Sequence, residues 1–276
     1  MTDTPFLPRL GGADASLEET LRIVEARRRV LRWTAVAGAA LLLPKPSRAC
    51  TIVPQEIAGP FPGDGTNGPN VLTESGIVRA DIRSSFGAAG SAIASGTPNS
   101  VTLRLVSTTS ACAPLAGRPV YVWHCDRNGG YSMYSNGIVG ENYLRGVQLT
   151  DANGEVTFTS IYPACYDGRW PHIHFEVYAS LGDVTSGRNA IRTSQIALPE
   201  TASRQVYAQT ALYPGSSANL DRVSLQSDLV FGDDGGIYEL ATVDGDNDAG
   251  YSTVLEVGIA LDAASPDPIF ASGFES

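Results

Sequence analysis

The segment from residue 161 to residue 178, IYPACYDGRWPHIHFEVY, contains the residues of this chain best suited to metal chemistry. Residues 172–178 have the two-residue period of a β-strand, so His172 and His174 lie on the same face of that strand. Two imidazoles at this spacing can point at one metal ion. The chain has only three histidines, and two of them form this pair. The pattern therefore predicts a metal site on one face of the strand.

Two tyrosines are the oxygen donors that we expect at this site. Tyr166 lies just upstream of the histidines, together with Arg169, and Tyr131 follows a Gly-Gly turn. Two imidazoles combined with two phenolates suit a hard, trivalent ion such as ferric iron, whereas zinc usually takes histidine, cysteine or carboxylate ligands. A free phenol has a pKa of about 10, so an ion that binds it as phenolate must be a strong Lewis acid. The convergence of these distant residues is a prediction about the fold.

The rest of the chain has the features of a β protein. Its 29 glycines, 17 prolines and short β-branched runs predict many turns and few helices. A short helix or helical turn is predicted at residues 202–211. Alternating segments predict strands at residues 101–106, 119–124, 155–161, 172–178, 192–198, 238–242 and 251–261. We therefore expect an all-β fold, an antiparallel two-sheet β-sandwich with long loops.

The charge distribution argues against nucleic acid as a partner. The net charge is −10, and the residues after position 49 carry 11 Lys and Arg against 24 Asp and Glu. Nucleic-acid sites need basic grooves, which this composition does not supply. Lys45 is the last lysine in the chain.

Residues 1–49 resemble a twin-arginine export signal. Arg27 and Arg28 open a basic region, residues 34–43 are apolar, and small residues precede position 50. The apolar run is shorter than the roughly 20 residues that span a bilayer, so we expect no stable membrane span. We expect cleavage after Ala49 and export to the periplasm or the extracellular space. An amphipathic or core helix is the alternative interpretation of this segment.

All four cysteines lie in the part expected to be exported, where disulfides persist. Three pairings are possible, and the positions of Cys50 and Cys112 before strands weakly favour that pair over pairings with Cys125 or Cys165. Lipidation of Cys50 is a further alternative, although Arg48 suits a lipoprotein signal poorly. A catalytic thiol is not favoured, because no histidine and carboxylate are placed beside any cysteine.

Four motifs together resemble one enzyme family. They are VWHCDRNGGY at residues 122–131, LTDANG at 149–154, IYPACY at 161–166 and RWPHIH at 169–174. Their order and spacing resemble the intradiol ring-cleavage dioxygenases, the protocatechuate and catechol dioxygenases, which use non-haem ferric iron. The similarity runs from about residue 50 to residue 261.

The resemblance implies a role for each matching residue. The implied ligands of non-haem Fe(III) are Tyr131, Tyr166, His172 and His174. Tyr166 is also implied as a catalytic base after its release from the metal. Arg169 matches the active-site arginine, and Gln195 matches a pocket glutamine. Trp123 matches a tryptophan that packs near the metal, and residues 54–61 match a segment that leads into the cleft.

The implied reaction is cleavage of a catechol-type ring with O2 to a cis,cis-muconate-type product. The loop between Tyr166 and His172 is shorter than in the intracellular enzymes for aromatic acids, and a helical dimerisation domain is lacking. The chain is therefore closer to the exported members of the family, while the substrate and the oligomeric state stay open. The domain organisation expected is a signal at residues 1–49, a catalytic domain at 50–262 and a disordered tail at 263–276.

Two other classes of protein share parts of these patterns. Residues 117–120 with 150–154 also resemble transthyretin-like β-sandwich binding modules without catalysis; the isopeptide-linked ones need a lysine, and the mature chain has none. Cupin-like metal enzymes also use His-x-His, with a further glutamate and a third histidine in set positions. His124 lies upstream of the pair and one residue away from Trp123. Strand alternation therefore predicts a structural or supporting role for His124, on the other face from Trp123.

Overall fold

Two four-stranded sheets make up the β-sandwich in the computed structural model, which describes residues 51–261. The strands are β1 (Pro98–Ser107), β2 (Pro119–Trp123), β3 (Arg145–Leu149), β4 (Glu155–Ile161), β5 (His172–Val177), β6 (Arg192–Ala197), β7 (Thr242–Asp246) and β8 (Gly250–Ile259). The first sheet has the order β4-β1-β8-β7, and the second has the order β3-β2-β5-β6. The predicted all-β two-sheet sandwich is confirmed.

One face of the first sheet lies in the core and the other faces solvent. In β1, Val101, Leu103 and Leu105 are buried, while the residues between them are more exposed. This alternation explains why the sequence pattern located β1 and β4 well. Most neighbouring strands in the two sheets are antiparallel, but β1 and β8 are parallel. That pair departs from a uniformly antiparallel sandwich, and an isolated parallel bridge from Ile52 to Gly258 of β8 adds the start of the described chain to the same sheet.

The second sheet is buried on both faces. In β5, Ile173 and Phe175 belong to the hydrophobic core, and His172 and His174 on the opposite face are also buried. Residues 56–62, which we call the covering segment, lie over this opposite face. The Tyr121 hydroxyl donates to Pro62 O over 2.7 Å, and a Cβ atom at Gly59 would lie 3.4 Å from His174 Cε1. The Glu56 backbone N–H also donates to the β6 backbone at Thr193 O over 2.8 Å. The predicted site face is therefore enclosed by the covering segment.

Two helices follow β6, α1 (Glu200–Tyr207) and α2 (Ser216–Leu220). The helix predicted at residues 202–211 therefore lies slightly earlier in the chain, as α1. It begins directly after Pro199 and ends at Tyr207. The strand predicted at residues 238–242 was wrong. Only Leu240 forms an isolated bridge there, to Ala197 in the second sheet, and the chain then crosses to the first sheet to form β7.

The turn at residues 150–154 connects strands of different sheets, β3 and β4. The Asp151 side chain accepts hydrogen bonds from the backbone N–H groups of Asn153 and Glu155 over 2.8 Å and 2.9 Å. Gly154 has a φ of 75°, and a Cβ atom there would lie 2.4 Å from Leu105 O. Only glycine fits this close approach of the turn to β1.

Some predictions fall outside the part of the chain that the structure describes. They are the paired arginines, the cleavage site, Cys50 and the tail. Within residues 51–261, Cys112 is disulfide-bonded and Cys125 and Cys165 are free and buried. The predicted Cys50–Cys112 pair therefore stays a prediction. No helix within the same residues is long and apolar enough to cross a membrane.

Candidate metal centre

The centre of the site is a row of residues that runs across the second sheet. Backbone pairing places Trp123 of β2 between Arg145 of β3 and His174 of β5, and it places Gln195 of β6 beyond His174. The Trp123 and His174 rings stack with centroids 4.8 Å apart and an interplanar angle of 5°. Strand register thus holds an imidazole between a tryptophan and a glutamine, with a buried arginine at the β3 end of the row.

Four donor atoms from three parts of the chain meet beside this row. The Tyr131 hydroxyl oxygen lies 3.2 Å from His174 Nε2, 3.3 Å from His172 Nε2 and 3.4 Å from the Tyr166 hydroxyl oxygen. His172 Nε2 lies 3.1 Å from His174 Nε2 and 3.1 Å from the Tyr166 hydroxyl oxygen. Donor atoms with these separations surround a point about 2 Å from each, a usual metal–ligand distance for nitrogen and oxygen. The predicted convergence of the four residues is therefore present in the fold.

The hydrogen bond to the other ring nitrogen of His172 determines which nitrogen is free to bind a metal. His172 Nδ1–H donates to the Trp170 carbonyl oxygen over 2.5 Å. The lone pair of this ring therefore lies on Nε2, the atom that faces the other donors. His174 Nδ1 has no hydrogen-bond partner among residues 51–261, so its ring is held by the stack on Trp123.

The surroundings of the four donors favour their neutral forms in the absence of a cation. Burial lowers the pKa of His172 to about 3, with Arg169 adding to the effect, and burial lowers the pKa of His174 well below its usual value. Burial also raises the pKa of Tyr131 well above its usual value and that of Tyr166 to about 12. A strongly polarising cation is needed to hold the two phenols as phenolates. The donor set fits ferric iron better than zinc for the same reason.

No cluster of His, Cys, Asp and Glu side chains in the described chain competes with this donor set. Within residues 51–261, no three His, Cys, Asp or Glu side chains come together in a way that could hold a metal ion. The third histidine, His124, is buried and bonds Cys125 O at 2.8 Å and Ser160 Oγ at 2.7 Å. It supports the fold, as predicted, and does not supply the third imidazole of a cupin-like site.

The two tyrosines differ in how firmly the protein holds them. Tyr131 is 2% exposed, and the Phe61 ring packs on it with centroids 5.1 Å apart. Tyr166 is half-buried and precedes two exposed residues. Gly129 of the Gly-Gly turn, at a φ of 83°, lies so near Tyr166 that a Cβ atom there would be 3.0 Å from the Tyr166 Cβ atom. Of the two phenols, Tyr166 has the more room to move.

Arg169 lies next to the donors and is held on two sides. Its Nε–H donates to Asp228 Oδ2 over 2.9 Å, and its Nη2 donates to Gln195 Oε1 over 2.6 Å. Gln195 Nε2 donates to the Ile57 carbonyl oxygen over 3.0 Å, which ties the glutamine to the covering segment. Burial alone would lower the pKa of Arg169, but Asp228, Tyr166 and Tyr131 together outweigh it and the pKa is raised. The guanidinium is therefore a permanent positive charge beside the donors.

Two buried charged residues of the site were missed by sequence reasoning. Asp228 follows α2, and its partners in the site, Arg169 and Trp170, lie 59 and 58 positions earlier in the chain. No local sequence pattern therefore identifies it. Arg145 is 1% exposed, and its side chain bonds residues of both the covering segment and the loop after Tyr131. An arginine that opens a strand is an ordinary surface pattern, and only the strand pairing shows that it lies inside.

The comparisons with known proteins agree with this geometry. Residues 91–213 match a family model described as Dioxygenase. An intradiol ring-cleavage dioxygenase from Tetranychus urticae is 27% identical, with 69% of this chain and 91% of that chain covered and a TM-score of 0.54. The crystal structure of a second dioxygenase is 26% identical, with 78% of this chain and 97% of that chain covered and a TM-score of 0.58. No curated protein matches the chain.

These findings do not favour the transthyretin-like binding module. In a binding module without a metal, burying two phenols and two imidazoles around one point would cost free energy with nothing to offset it. The matched model and the two related structures show that the chain is similar to the intradiol ring-cleavage dioxygenases, a family of oxidoreductases that cleave catechol-type rings.

Proposed function

We propose that this protein is a non-haem Fe(III) dioxygenase that cleaves a catechol-type ring between its two hydroxylated carbons. The observation that supports the proposal is the convergence of two phenol oxygens and two imidazole nitrogens within 3.1–3.4 Å. The residues that would hold the ion are Tyr131, Tyr166, His172 and His174. The substrates are a catechol and O2, and the product is a dicarboxylate of the cis,cis-muconate type.

Ferric iron in this site would supply a Lewis acid that binds a catechol as its dianion. The chain contributes the base for this step. Tyr166 is half-buried and has room to move, so besides helping to hold the ion it would serve as the base that accepts a substrate hydroxyl proton. Tyr131 is enclosed by Phe61 and remains in place with the two histidines.

Arg169 supplies positive charge where negative charge develops on the substrate ring. Its Nε and Nη2 atoms are engaged by Asp228 and Gln195, whereas Nη1 makes no hydrogen bond within residues 51–261. A guanidinium edge held in this way needs no rearrangement to meet the substrate. Preorganised charge of this kind lowers the barrier by a few kcal/mol in a site with little water.

Oxygen uptake and product analysis on a panel of substituted catechols test the proposal. The iron-loaded protein should consume one O2 per catechol, and both atoms of isotopically labelled O2 should appear in the ring-opened dicarboxylate. His172→Ala is the matched control, and it should show neither uptake nor product. A product opened outside the two hydroxylated carbons, or no oxygen uptake with any catechol, contradicts the proposal.

We also infer that the protein works outside the cytoplasm. The twin-arginine pattern at Arg27 and Arg28 supports this, and so does the disulfide at Cys112, because such bonds persist in oxidising compartments. Replacing both arginines with lysine should leave the full chain in the cytoplasm, as measured by cell fractionation. Unchanged export of that variant contradicts the inference.

A further inference from the structure

A buried carboxylate lies behind the catalytic arginine, in a part of the chain outside the matched family model. Asp228 follows α2, whereas the model matches residues 91–213. Its side chain is 0% exposed. A carboxylate is costly to bury, so its partners show what it does for the protein.

The two oxygens of Asp228 have separate roles. Oδ1 accepts hydrogen bonds from the backbone N–H groups of Val230 and Phe231 over 2.8 Å and 3.1 Å. These bonds fold the local segment onto its own aspartate. Oδ2 accepts from Arg169 Nε–H over 2.9 Å and from the Trp170 backbone N–H over 2.6 Å. Oδ2 is therefore the oxygen through which Asp228 bonds the site residues Arg169 and Trp170.

Through Oδ2, Asp228 holds two neighbouring parts of the site at once. One is the Arg169 guanidinium. The other is the Trp170 peptide, whose carbonyl oxygen in turn accepts the hydrogen bond from His172 Nδ1–H over 2.5 Å. The arginine and the backbone that orients a predicted metal ligand therefore share one anchor.

Asp228 and Gln195 act on Arg169 from different edges. Asp228 engages Nε and Gln195 engages Nη2, so the plane of the guanidinium is fixed while Nη1 stays available. Burial alone would raise the pKa of Asp228, but the Arg169 charge and the Trp170 N–H outweigh it and the pKa is lowered. The aspartate therefore stays ionised as the charge partner of the arginine.

We propose that Asp228 is a positioning residue that sets the orientation of the Arg169 guanidinium for catalysis. The inference rests on the proposed function, because it concerns the residue that stabilises charge on the substrate. It extends the proposed active site into the segment after α2, beyond the residues 91–213 that match the family model. An aspartate that only folded its own segment would need Oδ1 but not Oδ2.

The test is a double-mutant cycle with Asp228→Asn and Arg169→Ala in the full-length, iron-loaded protein. Asparagine keeps an oxygen for Val230 and Phe231 but turns an N–H donor toward Arg169 and Trp170. We expect kcat to fall about 10- to 100-fold, with KM changed less than about threefold and iron per chain unchanged. Asp228→Glu, which keeps the charge, should recover part of kcat and serves if the asparagine variant folds poorly.

The double variant separates positioning from simple stabilisation. If Asp228 acts through Arg169, the double variant should have the same kcat as Arg169→Ala alone. It should also melt at a higher temperature than Arg169→Ala, because the unpaired buried carboxylate is removed. Asp221→Asn is the matched control: Asp221 accepts from Arg204 over 2.8 Å at the surface, and its loss should change neither kcat nor the melting temperature.

Two results overturn the proposal: wild-type kcat in Asp228→Asn, or losses in kcat that multiply in the double variant. Failure of the proposed function is a different result, since the wild-type protein would then cleave no catechol. The melting temperatures still report in that case. A double variant no more stable than Arg169→Ala would show that the two residues are not coupled.

Discussion

Arg145, which is buried, and Arg169, which is half-buried, lie beside the same candidate metal centre and differ in their partners. Arg145 uses all three of its nitrogen atoms on neutral oxygens. They belong to Phe61, Pro62, Tyr121 and Ser132, at 2.6–3.0 Å. Arg169 has a carboxylate and a side-chain amide as partners, and Nη1 is left over. Every side-chain nitrogen of Arg145 therefore has a hydrogen-bond partner. Arg169 is fixed by two partners, while its Nη1 has none among residues 51–261.

The difference in partners indicates a structural role for Arg145 and a role toward the substrate for Arg169. Arg145 connects the covering segment to the loop that carries Tyr131. Two residues in that region, Met133 and Leu144, have left-handed backbones with φ values of 71° and 57°. Such conformations cost about 1–3 kcal/mol each and persist where surrounding bonds hold them. We conclude that Arg145 stabilises a strained loop, and we propose that Arg169 acts on the substrate.

The largest effect is expected from Arg169→Ala. Loss of the charge beside the substrate should lower kcat about 10²- to 10³-fold, because a preorganised electrostatic contact is lost. Iron per chain should stay near that of the wild type, since Arg169 bonds none of the four donor atoms. Steady-state kinetics and metal analysis measure both quantities. Loss of iron from a folded variant would instead make Arg169 a structural residue like Arg145.

Arg145→Met should act on stability. It leaves buried oxygens without donors, and each of these costs about 1–3 kcal/mol, so the free energy of unfolding should fall by about 3 kcal/mol or more. Urea denaturation of the metal-free protein measures this. The control is Arg204→Met, which removes two exposed ion pairs and should change stability by less than about 1 kcal/mol. A stable, iron-binding Arg145→Met protein with low kcat would reverse the roles of the two arginines.

A smaller effect is expected at Glu239, a buried carboxyl that has carboxylates nearby in place of an arginine. Burial, with Asp234 and Glu56 adding to it, raises its pKa to about 9. The folded state therefore binds more protons than the unfolded state between about pH 4.5 and 9, so stability should fall as pH rises through this window. The slope from one such group is on the order of 1 kcal/mol per pH unit.

Glu239→Gln removes this titration, so its melting temperature should exceed that of the wild type more at pH 8 than at pH 5. Glu200→Gln, at an exposed carboxylate, is the control. A difference from the wild type that is the same at both pH values contradicts the assignment. Agreement would sharpen the comparison, because it shows what happens to a buried carboxyl without the arginine that Asp228 has.

The parts of the molecule that could be predicted are those that local patterns describe. Alternation located β1, β4, β5 and β6, because each has a face in the core, and the His-x-His spacing placed two donors on one face. The strand predicted at residues 238–242 was wrong because the sequence alone does not distinguish an isolated bridge, which Leu240 forms with Ala197, from a continuous strand. Asp228 and Arg145 escaped notice because their partners are far away in the chain.

The most direct test of the central claim is the visible absorption of the iron-loaded protein, compared with its two tyrosine variants. Phenolates bound to ferric iron should give a charge-transfer band and a red to burgundy colour with about one iron per chain, which zinc with its filled d shell cannot give. Tyr166→Phe should weaken the band and still bind a catechol, whereas Tyr131→Phe should lose more iron because Tyr131 is the enclosed ligand. A folded protein that stays colourless after loading with ferric iron would contradict the two-phenolate site.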